Sequence, residues 1–103
     1  MGGGANSSFE DFISDNYTIV TISSASNTNN LSLQQGDVVI FGYGDGGTNC
    51  SINYSGDFVE VVKQITSNNK HAVAIYELQG TTGTVTGTGY SNSWALLQLR
   101  RNS

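Results

Sequence analysis

Proline is absent from this 103-residue chain, histidine and cysteine occur once each, as His71 and Cys50, and charged residues make up only 12%. Each shortage excludes something. Four basic residues in a chain of net charge −4 leave no basic patch to neutralise phosphates, so nucleic-acid binding is not expected. A single cysteine closes no internal disulfide, and Cys50 alternates with Ile52 and Tyr54 in a strand-like stretch, which predicts a buried, inert thiol. No segment approaches the roughly 20 apolar residues of a membrane helix. The glycine-rich, acidic N-terminus lacks the basic start and apolar run of a signal peptide, so a chain made and kept in a cytoplasm is expected. Five Asn-x-Ser/Thr triplets, at Asn6, Asn16, Asn30, Asn49 and Asn53, arise from a composition rich in those residues and are not read as glycosylated.

The same scarcity bears on catalysis. His71 stands beside Lys70 with no second histidine, cysteine or carboxylate at ligand spacing, so neither a metal site nor a triad is read there. No serine sits in a Gly-x-Ser-x-Gly elbow, and no carboxylate pair is placed for glycoside hydrolysis. The Gly42 to Thr48 run lacks the Lys-Ser/Thr ending of a phosphate-cradling loop, and Asp45 alone is too little for a calcium loop. The expectation is a protein that is not an enzyme and uses no metal or cofactor.

What the chain does have is 47 glycine, serine, threonine and asparagine residues, with short apolar clusters between them. This is the spacing of an antiparallel all-β domain, and 103 residues support one core. Strands are expected at YTIVTI from Tyr17, at DVVIFGY (37 to 43), at NCSINY after an Asp45-Gly46 hairpin, and at FVEVVKQI after a turn at Ser55-Gly56-Asp57. Further strands are expected at HAVAIYELQ and at SWALLQLRR. The Thr/Gly alternation around Val85 suits an exposed edge strand. With no proline to block edges, they must be covered by glycine, threonine, charge or another subunit, which favours an assembly.

The expected fold is therefore a single antiparallel β-sandwich of about eight strands, jelly-roll-like, over residues 17–103, preceded by a short flexible arm over 1–16. The arm carries a Phe9, Phe12, Ile13 cluster too short and poorly patterned to predict a helix. Two readings of it stay open: a disordered terminus, or a tether whose three apolar residues order on a neighbouring subunit or capsid. Tyr43, Asp45, Asn49, Tyr90, Asn92 and Trp94 combine flat apolar faces with hydrogen-bonding groups and are candidate glycan contacts. Trp94 also reads as core, since it opens the last strand.

The succession QQGDVVIFGYGDGG, YSGDFVEVVKQITSNNKHAVAIYEL and TGTGYSNSWALLQLR resembles a β-sandwich domain that recurs in bacteriophage virion proteins and related bacterial sequences. Gly36-Asp37 matches that domain's step into a hydrophobic strand, Ser55-Gly56 its turn, Ala74-Ile75-Tyr76 its "AxYY" strand, and Trp94 its last strand. Asp57-Phe58 stands where the family has tryptophan. The resemblance, over residues 17 to 101, implies a non-enzymatic virion structural protein made in a host bacterial cytoplasm. A chain beginning sixteen residues before its sandwich suits a capsid decoration or cement protein better than a fibre appended to a shaft. The implied partners are the chain itself, as a homotrimer, and the major capsid protein or another virion protein, with no nucleic acid and no membrane. The alternative is a receptor-binding tail-fibre tip or small carbohydrate-binding module that contacts a host surface glycan.

Overall fold

The computed structural model describes residues 8–44 and 47–103. Among the described residues the first element is a helix, within the segment expected to be an arm: α1 spans Phe9–Asn16. Its start is set by a reciprocal cap, in which the Ser8 hydroxyl accepts from the Asp11 N–H at 3.1 Å and the Asp11 carboxylate accepts from the Ser8 N–H at 3.5 Å. Glu10 and Asp11 in the first turn add a favourable interaction with the helix dipole. This Ser-x-x-Asp signature is legible in the sequence and corrects the reading of residues 8–16 as structureless.

Five strands come next: β1 (Tyr17–Ser23), β2 (Val38–Gly44), β3 (Ser51–Ile65), β4 (His71–Thr88) and β5 (Trp94–Arg101), with a 3-10 turn at Ser91–Ser93. They form one sheet in the order β1-β5-β2-β4-β3, and every neighbouring pair is antiparallel. The all-β, antiparallel expectation holds. The strand count differs for a physical reason. The turn expected at Ser55-Gly56-Asp57 is a bend inside β3, and the HAVAIYELQ and Thr/Gly segments are the two halves of one bent strand, β4.

At that bend Gly56 faces Gly83 while Phe58 faces Leu78, so Asp57 alone stands opposite residues 79–82. The Asp57 carboxylate fills the broken ladder by accepting from the N–H groups of Thr81 and Thr82 at 3.0 and 3.3 Å. Gly56 takes φ +71 there, a left-handed conformation that side chains disfavour. The hairpin is thereby folded back over the sheet: Lys63 Nζ reaches the Ile52 carbonyl on the same strand at 3.5 Å, and the Tyr54 ring lies 5.1 Å from that of Tyr76. Far from being an exposed edge, the Thr/Gly half of β4 pairs with Ser51–Gly56 on one side and is bridged at Thr86 to Asn27 on the other. Val85 and Gly87 within it are buried.

A hairpin between β2 and β3 was also expected, but β2 lies between β4 and β5, and β3 pairs with β4. The Asp45-Gly46 signal itself lies outside the described residues. A turn signal says that the chain reverses, not which strand it then meets; β2, apolar on both faces, takes the central position with two neighbours.

The core fills the concave side, from Val39, Phe41 and Tyr43 on β2 through Ala74, Tyr76 and Leu78 on β4 to Trp94 and Leu96 on β5, closed by Ile52, Phe58 and Val85 of the bent hairpin. Gly87 lies against the Trp94 ring so closely that a Cβ there would fall 2.4 Å from its Cη2. Cys50 is buried, and burial pushes its thiol pKa up.

Candidate interaction surface

The opposite, convex face of the sheet is apolar as well. Direct antiparallel partners share a face, so the register aligns Val62, Ile75, Ile40, Leu97 and Ile22 in one row across all five strands. A parallel row runs Val59, Glu77, Val38, Leu99 and Ile19. Two irregularities create this alignment: the register shifts between Ile19 and Thr21 in β1 and between Glu60 and Val62 in β3. The extra residues are Val20 and Val61, and because strand side chains alternate, each bulge turns the remainder of its strand to the other face. Without the first bulge, Ile22 would face the core while Thr21 lost its hydrogen bond to Gln98, which it makes at 2.9 Å.

Helix α1 leans over one corner of this face. Phe9 and Ile13 from the helix, with Ile19, Ile40, Leu97 and Leu99 from the sheet, line a groove of about 660 Å³. The helix buries none of its own residues, and Phe9 and Phe12 are 76% and 54% exposed. Its C-terminal end is fixed: Asn102 donates its backbone N–H to the Asn16 carbonyl at 2.8 Å and its side-chain amide to the Asp15 carbonyl at 3.3 Å. The three apolar residues singled out in the arm thus lie on one helix at i, i+3 and i+4, on a single side.

Beneath the sheet's β1-β5-β2 end lies a buried polar cluster. Gln34–Asp37 form a turn with Gly36 at φ +92, and this turn delivers the fully buried Asp37 carboxylate to Arg100 and Gln98 of β5. Arg100 donates from Nε to Oδ1 and from Nη2 to Oδ2, both at 2.9 Å; Gln98 Nε2 and the Gln34 N–H add two more bonds at 2.9 Å. Burial raises the Asp37 pKa, but the Arg100, Gln34 and Gln98 hydrogen bonds and the Arg100 charge outweigh it, so the carboxyl lies below its ordinary value. Every oxygen here is occupied by the fold, which marks a structural clamp. The Gly-Asp step of the sequence is therefore the turn and anchor that start β2.

The candidate glycan contacts divide. Tyr43 and Trp94 are 3% and 4% exposed, with ring centroids 4.7 Å apart, and Phe41 meets Trp94 edge-on at 6.2 Å. They are core residues and present no open stacking face. The Tyr43 hydroxyl ties the two loops together by donating to the Thr48 carbonyl at 3.0 Å and accepting from the Tyr90 N–H at 2.8 Å. Asn49, Tyr90 and Asn92 are exposed, whereas Asp45 is outside the described residues.

Among the described residues no three His, Cys, Asp or Glu side chains gather as a metal site would require, and no helix is long and apolar enough to cross a membrane. The chain matches no family model, no curated protein and no solved structure.

What sequence reasoning missed is the convex face itself. Its residues are visible as the outward set of each strand, but the two bulges that align Ile22 and Val62 leave no local signal.

Proposed function

We propose that this protein is a non-enzymatic structural protein of a phage virion, a capsid decoration or cement protein that binds the outer shell and stabilises it as a homotrimer. The observation that carries the reading is the convex face: an apolar surface spanning five strands, with a helix at its corner whose Phe9 and Phe12 stand in solvent. Large exposed apolar surface on a folded domain marks a place where another protein packs. Binding of this kind draws affinity from buried area and from repetition of many copies on a shell, with no chemistry required. The assignment to a virion rests on the order of the Gly36-Asp37, Ser55-Gly56, Ala74-Ile75-Tyr76 and Trp94 motifs.

The finer fold reading belongs with it. In this reading the domain is a jelly-roll-like sandwich of about eight strand segments whose second layer is the folded-back hairpin; the bends within β3 and β4 and the isolated Asn27–Thr86 bridge support it. The test is immunogold labelling of virus particles from the source of the sequence. Gold on heads supports the decoration role, gold confined to tail tips replaces it with the fibre-tip role, and unlabelled particles overturn both.

A second reading, a small carbohydrate-binding module or receptor-binding tip, is favoured by one observation: Tyr90 is 50% exposed and stands with Asn49 and Asn92 in loops that the Tyr43 hydroxyl holds together. Glycan-array binding abolished by Tyr90→Ala supports this reading, and an array without signal removes it.

A further inference from the structure

Gln98 buries a whole carboxamide in the middle of β5, with 0% of the residue exposed. Both hydrogens of its nitrogen are taken: Nε2 donates to the Ser32 carbonyl and to Asp37 Oδ2, each at 2.9 Å. Those two acceptors fix which end of the amide is nitrogen. Oε1 therefore faces β1, where the Thr21 hydroxyl donates to it at 2.9 Å. The β1 bulge is what puts Thr21 there, since Val20 is the extra residue that brings Thr21 opposite Gln98 on the core side.

A hydroxyl and an acyl carbon are thus held together out of water. The Gln98 Cδ is one carbonyl bond beyond Oε1, so it lies within about 4 Å of Thr21 Oγ1. Near-attack geometries have reacting atoms ~3–3.5 Å apart, and holding such a pair in place gives effective concentrations that reach about 10⁵–10⁸ M. Burial of Gln98 also keeps out water, the competing nucleophile.

We propose that Thr21 and Gln98 join in the folded chain as an ester between β1 and β5. Thr21 Oγ1 forms a bond to Gln98 Cδ, the Cδ–Nε2 bond breaks with its electron pair going to nitrogen, and ammonia leaves. The hydroxyl proton follows the hydrogen bond it already makes to Oε1 and passes to nitrogen as the Oε1 carbonyl re-forms. One hydroxyl and one carboxamide give one ester and one ammonia, so no oxidant, reductant or further reactant is consumed. Asp37 touches the nitrogen that departs. Its carboxylate, held ionised by the Arg100 fork, stabilises positive charge on that nitrogen as it takes up the proton, which makes a poor leaving group a better one.

A second Thr–amide pair shows what this arrangement adds. Thr18 Oγ1 donates to Asn102 Oδ1 at 2.6 Å, but both residues are exposed, and Asn102 Nδ2 meets the Asp15 carbonyl rather than a carboxylate. Water reaches that carbonyl and no charge attends its nitrogen. The Thr21–Gln98 tie also has a structural consequence. It joins the first strand to the last, between residues 77 positions apart, so it closes most of the domain into one loop. A cross-link constrains the unfolded chain more strongly the longer its loop. The inference is independent of what the convex face binds.

The test is the intact mass of the full chain, purified in its folded state, with tandem mass spectrometry of its peptides. The chain is expected to be lighter than its sequence by one ammonia, with the peptide that holds Thr21 joined to the peptide that holds Gln98. Hydroxylamine, which cleaves esters and spares amides, is expected to separate the two peptides. Thr21→Val is close in shape, lacks the hydroxyl and is expected to keep its full mass while circular dichroism shows it folded. A folded wild type at full sequence mass overturns the ester. So does an ammonia loss that persists in Thr21→Val or maps to an asparagine, and so does a cross-link that survives hydroxylamine.

Discussion

Arg100 grips Asp37 with two parallel hydrogen bonds, Nε to Oδ1 and Nη2 to Oδ2, each 2.9 Å, joining the strand that ends the chain to the turn that begins β2. The carboxylate is fully buried, so this pair is the point at which the sheet is most exposed to the loss of one partner. Arg100→Ala leaves an uncompensated buried charge and is expected to destabilise the fold by about 3 kcal/mol, measured by urea unfolding. Arg100→Lys restores the charge but not the fork and should recover only part of that loss.

The same pair sets a pH dependence. The Asp37 pKa is depressed in the folded state, so its contribution is fully present above the unfolded carboxyl pKa of about 4 and is lost as pH falls through the folded value. Thermal midpoints recorded between pH 7 and pH 2 should hold near neutrality and then fall in the acid. In Asp37→Asn the acid slope should flatten from a lower starting stability; an unchanged slope means that other carboxylates carry it.

Gly87 and Trp94 occupy one space from opposite sides. Gly87→Ala places a methyl 2.4 Å from the indole Cη2 and is expected to cost about 1–3 kcal/mol through overpacking. Because the indole N–H has no hydrogen-bond partner among the described residues, Trp94→Phe is expected to lose area but no hydrogen bond. Combined, the two substitutions should cost less than the sum of their separate effects in a denaturation cycle.

Helix α1 hangs on its cap. Ser8→Ala removes the acceptor of the Asp11 N–H and is expected to cost the helix about 1 kcal/mol. The helix buries nothing, so the effect is local: faster amide exchange at Phe12 and Ile13 with an unchanged midpoint for the sheet.

Cys50 should be silent in the native state. It is buried and its thiol pKa is raised, so Ellman's reagent at pH 8 is expected to modify it only at the rate of opening, and at full speed in denaturant.

The positions of most strands were legible because alternation and turn-formers are local signals. YTIVTI, DVVIFGY and SWALLQLRR are β1, β2 and β5 within a residue or two. The helix was legible too, through Ser8 and Asp11, although its length argued against it. The Phe9, Phe12, Ile13 cluster stood out for its isolation, and the buried thiol for its alternation with Ile52 and Tyr54, although Cys50 lies just ahead of β3. Tyr43 and Trp94 show the limit of such reading: an aromatic beside a loop looks the same in sequence whether it faces a sugar or the core, and here both face the core.

By itself, the sequence determined an antiparallel β domain and the extent of its apolar segments. The tertiary structure alone decided which strands became neighbours, since pairing joins residues as distant as Tyr17 and Arg101 and no local pattern specifies the partner. It also decided that the Ser55-Gly56-Asp57 and Gly80–Gly83 segments bend within continuous strands, because the Asp57 carboxylate could find the Thr81 and Thr82 amides only once β3 and β4 had paired. The convex face arose in the same way. One extra residue in each edge strand reverses the side on which all later residues fall, and only the pairing with β5 and β4 makes Val20 and Val61 the extra ones.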